Sequence, residues 1–293
     1  MAPVDLSKWQ WYSRANMLLP LSHFLDKHVA DQNRIEKVSL AMVFRDLLQT
    51  HILDSITEWA PFERHLRSCI WVESAPAFPG FSQSMLAALY SVSLAFASGL
   101  PCLFYFNSFT PEPGLDQPPT RRKLVMDMVG SIIVQLVLLL PEQVYAPVNL
   151  SAKRFAALIN PSVDDYMALS LLRDIRSLVV QNQYVIIEGI DRIDAVKNGN
   201  HSRLLKQVLL EFTTNMPLLV SGWRLGDPVR FRMIRSCLTS NGYSEALAQM
   251  DTFNQLVKIM EEPPPTPQRP CLVLTSTYRQ TSDLKHGGDL YSP

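Results

Sequence analysis

The sequence predicts an α/β fold in which a parallel sheet forms the middle of three layers and helices cover both of its faces. Two observations indicate this class. Short apolar segments rich in β-branched and aromatic residues alternate with longer segments of helical composition, in the order strand–helix–strand–helix–helix–strand–helix–strand. This alternation favours parallel pairing of the strands. Finally, 47% of the 293 residues are hydrophobic, which is enough to fill a large core.

The first 60 residues are predicted to be helical. In the segment "NRIEKVSLAMVFRDLLQTHILDSITEW" apolar residues recur three and four positions apart, from Ile35 to Ile56, and this spacing places them on one face of a helix. We assign residues 1–45 to an N-terminal helical segment and residues 46–260 to the main domain. The remaining residues, 261–293, contain "PPPTPQRP" and are predicted to form a proline-rich linker and a flexible tail.

The main domain begins with a candidate strand, "CIWVE", followed by a loop and a helix over Met85–Ala97. Next come a buried strand ("PCLFYFNSF"), a helix that stops at Pro141 ("RRKLVMDMVGSIIVQLVLLLP") and a polar, irregular segment to about Pro161. A helix capped by Ser162 or Asp164 leads to the strand in "YVIIEGIDRID". The helix "SRLLKQVLLEFTTNM" and a short strand, "PLLVSGWRLGDP", complete the pattern.

The charge of the chain excludes one class of partner. Lysine and arginine number 27, as do aspartate and glutamate, so the formal net charge is zero. A nucleic-acid-binding protein carries an excess of basic residues, so we expect no nucleic acid partner. A protein without net charge has little electrostatic repulsion between copies, which favours association with a protein partner or with itself.

The cysteines and the apolar segments indicate a cytoplasmic protein without a membrane span. The four cysteines show neither a CxxC pair nor metal-ligand spacing, which is typical of free thiols in a reducing compartment. The N-terminus lacks the pattern of a signal peptide. The two longest apolar segments, 85–106 and 124–140, are interrupted by Gly, Pro, Asp or Gln and are predicted to belong to the core of the sheet.

Acidic residues follow the most apolar strand. Glu188 ends the run "YVIIE", and Asp191 and Asp194 come within the next six residues. Carboxylates at the carboxyl end of a buried strand are well placed to hold Mg²⁺, which takes one or two carboxylates together with phosphate oxygens. A strand that ends in a solvated acidic turn is the alternative interpretation.

Five segments of the chain resemble a known family in content and order. They are Thr57–Trp59 with Phe62 to Leu66 and Ile70–Val72; Leu103–Phe106; a helix with Met128, Ser131–Ile133, Gln135, Leu136 and Pro141; Ile187–Asp194; and Leu218–Arg224. In these segments the chain resembles the fungal NACHT/STAND P-loop NTPases, specifically their nephrocystin-type N-terminal NTPase domain. The resemblance covers about residues 45–225 and implies a three-layer sheet of P-loop NTPase type.

The resemblance also implies positions for a nucleotide. Gly80 and Ser82 align with the second glycine and the serine of the family's phosphate loop, whose amides would face phosphate. Glu188 and Asp191 align with the acids that would face Mg²⁺, and Arg224 aligns with a sensor arginine that would face the γ-phosphate. If nucleotide binding is retained, the resemblance implies Mg-ATP or Mg-GTP.

The chain departs from the family pattern where the chemistry would be. A phosphate loop of the form GxxxxGK[ST] needs backbone N–H groups around the phosphates and a lysine to neutralise their charge. This chain has "SAPAFPGFSQS", in which Phe81 stands in the place of the lysine and Pro79 has no N–H to donate. Arg192 replaces the acid that would orient water. We therefore expect a degenerate regulatory or protein-interaction module without NTP hydrolysis and without a cofactor; a residual ATP- or GTP-binding switch is the alternative.

Two segments compete for the sensor strand. Residues 218–224 have the better spacing from the acidic strand, and residues 271–279 ("CLVLTSTYR") resemble the same motif. The family assignment also predicts that strand 184–188 lies beside strand 70–73, with Glu188 facing the phosphate-loop segment.

A serine hydrolase is a second functional interpretation. The run "GFSQS" approximates the G-x-S-x-G nucleophile elbow and makes Ser82 the candidate nucleophile. Asp191 or Asp194, followed by His201 or His286, would complete a triad in the order Ser, Asp, His. The last glycine of the motif is replaced by serine, and prolines separate the strand from the supposed elbow, which does not favour a tight turn.

Overall fold

The computed structural model of the protein describes residues 9–39, 44–62, 68–75, 81–107, 120–160, 164–195, 202–213, 216–217, 231–251 and 256–262. The strands are β1 (Gln10–Ser13), β2 (Cys69–Ser74), β3 (Cys102–Phe106), β4 (Gln143–Ala146), β5 (Gln183–Glu188), β6 (Met216–Pro217), β7 (Phe231–Arg232), β8 (Ile234–Asn241) and β9 (Val257–Met260).

The helices alternate with these strands along most of the chain. They are α1 (Arg14–Leu18), α2 (Ser22–Ser39), α3 (Phe44–Leu47), α4 (Thr50–Trp59), α5 (Gln83–Ala97), α6 (Arg121–Leu138), α7 (Ala152–Ala156), α8 (Asp165–Leu178), α9 (Ile190–Asp194), α10 (Ser202–Thr213) and α11 (Glu245–Asp251). Of the two caps predicted for α8, Asp164 is the one observed: its side chain accepts the Tyr166 N–H at 3.1 Å. Ser162 lies outside the described residues.

The central sheet has five parallel strands in the order β3–β5–β8–β2–β9. In its middle row, Phe104 is in register with Ile186, and Ile186 with Cys237. Cys237 is in turn in register with Ile70. The parallel α/β architecture predicted from the sequence is confirmed.

Alternate residues of these strands point to opposite faces of the sheet. On one face, here called the α6 face, Trp71, Ile187 and Leu238 pack with residues of α6, α8 and α10. On the other, the α5 face, Val72 and Ile186 pack with residues of α4 and α5. Helices therefore cover both faces of the sheet, and the core is divided between them.

The prediction of helix throughout the first 60 residues is wrong at one place. β1 pairs antiparallel with β4, and β4 lies in the segment predicted to be irregular. Trp11 is in register with Tyr145, and the centres of their rings lie 4.9 Å apart; the centre of the Trp9 ring lies 5.1 Å from that of Tyr145. Cross-strand aromatic contacts of this kind stabilise a strand pair, although a short segment shows little periodicity in its sequence.

Residues 1–261 form one compact unit. Within it, α2 packs across α6, and Phe24 of α2 contacts the backbone at Gly130 of α6. Among the helices of the described residues, none combines the length and the apolar composition needed to cross a membrane.

Candidate functional site at the carboxyl ends of the strands

The carboxyl ends of β2 and β8 lie side by side, with Ser74 in register with Asn241. The helix after β2, α5, packs on the α5 face, whereas the helix after β8, α11, packs on the α6 face. Neighbouring parallel strands whose connections leave to opposite faces form a topological switch point, where open α/β sheets bind their ligands. The candidate site is therefore made by the ends of β2 and β8 and by the first turn of α5.

Three serines and one asparagine, here called the hydroxyl cluster (Ser74, Ser82, Ser84 and Asn241), occupy this switch point. Ser84 Oγ donates to Asn241 Oδ1 at 2.5 Å, and Ser74 Oγ donates to the same oxygen at 3.2 Å. Ser82 Oγ lies 2.9 Å from Ser84 Oγ. The three serines are at most 7% exposed, so these hydrogen bonds offset the loss of hydration of their hydroxyl groups.

The first turn of α5 is capped by the same serines. Ser82 is the N-cap residue, and its Oγ accepts the Met85 N–H at 3.1 Å. The Ser84 N–H donates to Ser74 Oγ at 3.2 Å. First-turn amides have no partner within the helix, and the helix dipole makes this end attractive to anions. Here two of these amides, those of Ser84 and Met85, already donate to serine hydroxyls of the chain itself.

The segment predicted as a phosphate loop is described only in part. Residues 76–80, including Gly80, lie outside the described residues. Phe81, which aligns with the family's lysine, has a side chain that is 49% exposed. Lys258 of β9 is a cation beside β2, but its Nζ lies 2.7 Å from Glu73 Oε2 and 4.2 Å from the centre of the Trp71 ring. Its charge is therefore already balanced by Glu73.

The two predicted Mg²⁺ ligands have different surroundings. Glu188 is the last residue of β5 and is fully buried. Asp191 follows on α9, after a turn at Gly189 whose φ of 74° is readily adopted only by glycine. Asp191 Oδ1 accepts the Asn241 N–H at 2.8 Å, and burial raises the pKa of this carboxyl above its ordinary value although that hydrogen bond lowers it. Among the described residues, no group of three or more His, Cys, Asp or Glu side chains converges on a metal position.

Asp194, the last residue of α9, supports α11. Its Oδ2 accepts hydrogen bonds from Ser244 Oγ at 3.0 Å and from the Ala246 N–H at 2.9 Å. The guanidinium of Arg121 donates to the backbone carbonyl of Asp194 and lies 3.7 Å from Oδ1. These contacts give Asp194 a structural role. Its carboxylate accepts hydrogen bonds from donors at the start of α11, and Arg121 links the same residue to α6.

The strand between β2 and β5 is one that the sequence analysis did not identify. The prediction that β5 lies directly beside β2 is wrong, because β8 lies between them. Both predicted sensor segments, 218–224 with Arg224 and 271–279, lie outside the described residues.

The composition of β8, "IRSCLTSN", explains why it was missed. Four of its polar residues are buried, so they break the apolar pattern of a central strand: Arg235, Ser236, Thr239 and Ser240. Ser236 Oγ donates to the Phe212 carbonyl at 2.5 Å, and Ser240 Oγ accepts from Trp71 Nε1 at 2.8 Å. The Asn-Gly pair that ends the strand was the available signal, because this pair marks turns.

Among the described residues, the contacts of Ser82 do not support the serine hydrolase interpretation. Ser82 Oγ is engaged with the Met85 N–H and with Ser84 Oγ. Within the described part of the chain, neither of these hydrogen-bond partners of Ser82 is a histidine, and His201 and His286 lie outside that part. Asp191 binds the backbone of β8, as shown above, and does not orient a base there.

Comparison of the chain with models of known protein families gave no match, and comparison with curated proteins gave no significant match. The site is therefore interpreted from its own geometry. Two first-turn amides of α5 are occupied by serine hydroxyls, and the Asp191 carboxylate accepts the Asn241 N–H. Within the described residues, these contacts occupy backbone and carboxylate groups that a Mg-nucleotide would otherwise use. Sequence reasoning missed Ser74 and Asn241, which hold the site together.

Proposed function

We propose that this chain is a degenerate NACHT/STAND module of P-loop NTPase type that acts as a regulatory or protein-interaction domain and does not hydrolyse NTP. Its fold supports the proposal: β2, the following loop and α5 have the strand–loop–helix order of a phosphate loop. The acidic strand β5 ends at the same edge of the sheet as β2, separated from it by β8. This arrangement is compatible with a nucleotide site in a relative that retains the lysine.

The observation that carries the proposal is the capping of α5 by Ser74 and Ser82. A phosphate loop leaves the first-turn amides of its helix open, so that they bind phosphate oxygens. In this chain the Ser84 and Met85 amides donate to serine hydroxyls instead. A phosphate would have to displace both hydrogen bonds, and Phe81 offers no charge in compensation.

Titration with fluorescent ATP and GTP analogues in the presence of Mg²⁺ tests the proposal. We expect no saturable signal and no change in Tm, whereas a ligand at a hundred times its Kd stabilises a fold by about 2.7 kcal/mol. Glu188→Ala and Asp191→Ala are the matched variants. Micromolar binding by the wild type that disappears in both variants would overturn the proposal and establish the residual nucleotide switch. Binding that survives in both would overturn it as well, by revealing a nucleotide site elsewhere.

The proposal includes a protein partner or self-association in the cytoplasm. Zero net charge supports association, and the exposed rings of Trp11 and Tyr145, 68% and 41% exposed, form an uncharged surface suited to a protein contact. Sedimentation velocity over about a hundredfold range of concentration measures self-association. Trp11→Ser should weaken any association made through this surface, while an exposed substitution on another element, Glu36→Gln, should leave it unchanged. Equal effects of both substitutions would exclude this surface.

A further inference from the structure

The hydrogen bonds of the hydroxyl cluster run in one direction and end on a single oxygen. Each serine hydroxyl has one proton to donate. Ser74 and Ser84 use theirs on Asn241 Oδ1, so the 2.9 Å contact between Ser82 and Ser84 must be donated by Ser82. The donors therefore converge on Asn241 Oδ1, and this position requires an acceptor.

A bound oxyanion at a helix N-terminus also accepts hydrogen bonds from several donors. At this switch point the acceptor comes from the chain itself. Asn241 is the last residue of β8, and its backbone N–H donates to Asp191 Oδ1 at 2.8 Å. Its side chain is thereby held between the end of β2, which carries Ser74, and the first turn of α5, which carries Ser84.

We propose that the Asn241 side chain is a built-in ligand of the switch point, which holds the ends of β2, α5 and β8 in one state without any bound nucleotide. This inference deepens the proposed function, since it names what regulates the same site. A change of state then requires the rupture of the contacts of Asn241 with Ser74 and Ser84, not the exchange of a nucleotide.

Hydrogen exchange of the full chain, without nucleotide, tests the proposal. Asn241→Ala removes the acceptor and leaves two buried hydroxyls without it, so we expect exchange of the first-turn amides of α5 to accelerate at least about tenfold. The second half of the same helix, residues 90–97, should keep its wild-type rate. Asn241→Asp retains an acceptor oxygen and should give a smaller acceleration than Asn241→Ala.

Ser91→Ala is the matched control. Ser91 is buried in the same helix and donates to the Ala87 carbonyl at 2.8 Å, and neither residue belongs to the first turn, so its loss should leave that turn unchanged. If Asn241→Ala does not fold, Ser84→Ala removes one of the donors to Asn241 Oδ1 and should accelerate exchange at the first turn. Wild-type exchange in these variants, or equal acceleration along the whole of α5, would overturn the proposal.

The result is distinguishable from a failure of the proposed function. Nucleotide binding by the wild type would overturn the proposed function but would not alter exchange measured in the absence of nucleotide. Conversely, wild-type exchange rates at the first turn of α5 in Asn241→Ala would overturn the role proposed for Asn241. The titrations with nucleotide could still show no binding, which would leave the proposed function intact.

Discussion

Gln135 of α6 forms two hydrogen bonds with the backbone of Phe104: its Oε1 accepts the Phe104 N–H at 2.9 Å, and its Nε2 donates to the Phe104 carbonyl at 2.8 Å. Phe104 belongs to β3, which is at the edge of the central sheet. The amide group thus gives the outer side of β3 the pairing that a neighbouring strand would give. Exposed edges invite association with other chains, and this contact protects one.

Gln135→Leu should destabilise the fold by about 2–4 kcal/mol, because it leaves a buried N–H and a buried carbonyl unsatisfied. The free energy of unfolding in urea measures this loss. Ser131→Ala is the matched control: it removes a 3.4 Å hydrogen bond from the same amide, and should cost less than about 1 kcal/mol. Equal losses in the two variants would contradict the role assigned to Gln135.

Gly130→Ala should destabilise the contact between α2 and α6. A Cβ at this position would lie 2.5 Å from Phe24 Cζ, and overpacking of this kind costs about 1–3 kcal/mol. Phe24→Leu in the same chain should recover part of the loss, because the shorter side chain leaves room for the methyl group. Additive losses in a double-mutant cycle measured by thermal unfolding would show that the two positions do not interact.

Asp194→Ala should lower stability by about 3 kcal/mol, because it removes two hydrogen bonds to the start of α11 and leaves the buried Arg121 guanidinium without its carboxylate. Asp194→Asn keeps one acceptor oxygen and should lose less. Chemical unfolding of the two variants gives the comparison. Wild-type stability of Asp194→Ala would show that the Asp194 side chain does not support α11.

His28 should make stability dependent on pH in the acid range. Its side chain is 8% exposed, its ring centre lies 5.2 Å from that of Phe104, and burial lowers its pKa below the ordinary value of 6.5. The unfolded chain therefore binds a proton at a higher pH than the folded chain does. Stability contributed by neutral His28 is present above about pH 6.5 and is lost as the pH falls through the lowered pKa.

His28→Gln removes this group, so unfolding measured from pH 7 to pH 5 should show a shallower loss of stability in the variant. Asp31, on the same helix, has a pKa raised by burial and acts in the opposite sense, because the folded state takes up a proton more readily. Its contribution is common to wild type and variant and cancels in the comparison. Parallel pH profiles would show that His28 does not titrate during unfolding.

The sequence predicted the elements whose buried side chains are mainly apolar. Val, Ile and Leu make up half of β5 and half of α6, and both elements are found where the pattern placed them. β8 was not predicted, because its serines and its arginine are buried through hydrogen bonds to distant parts of the chain, which no local pattern records. The strand pair β1–β4 was missed for a similar reason, since its partners are far apart in sequence.

In the candidate site, too, contacts between residues that are far apart in sequence could not be predicted. The sequence analysis named Ser82 and Asp191 because they resemble positions of a known motif, and both lie at the carboxyl edge of the sheet. The contacts that decide the chemistry, however, involve Ser74 and Asn241, and the latter lies on the unpredicted strand. A motif identifies residues by their position in a short segment, but it does not reveal which side chains from distant parts of the chain contact them.

The position of β8 in the sheet also constrains how the chain can fold during its synthesis. Trp71 of β2 and its partner Ser240 of β8 are 169 residues apart, and β2 has β8 and β9 as its neighbours in the sheet. When β2 leaves the ribosome, the strands beside which it will lie have not yet been made. β2 must therefore wait, with Ile70 and Val72 uncovered by neighbouring strands, until almost the whole sheet has been translated. Folding of such distant pairings is slow and exposes apolar surface to aggregation, so we expect nascent chains of this protein to depend on chaperones.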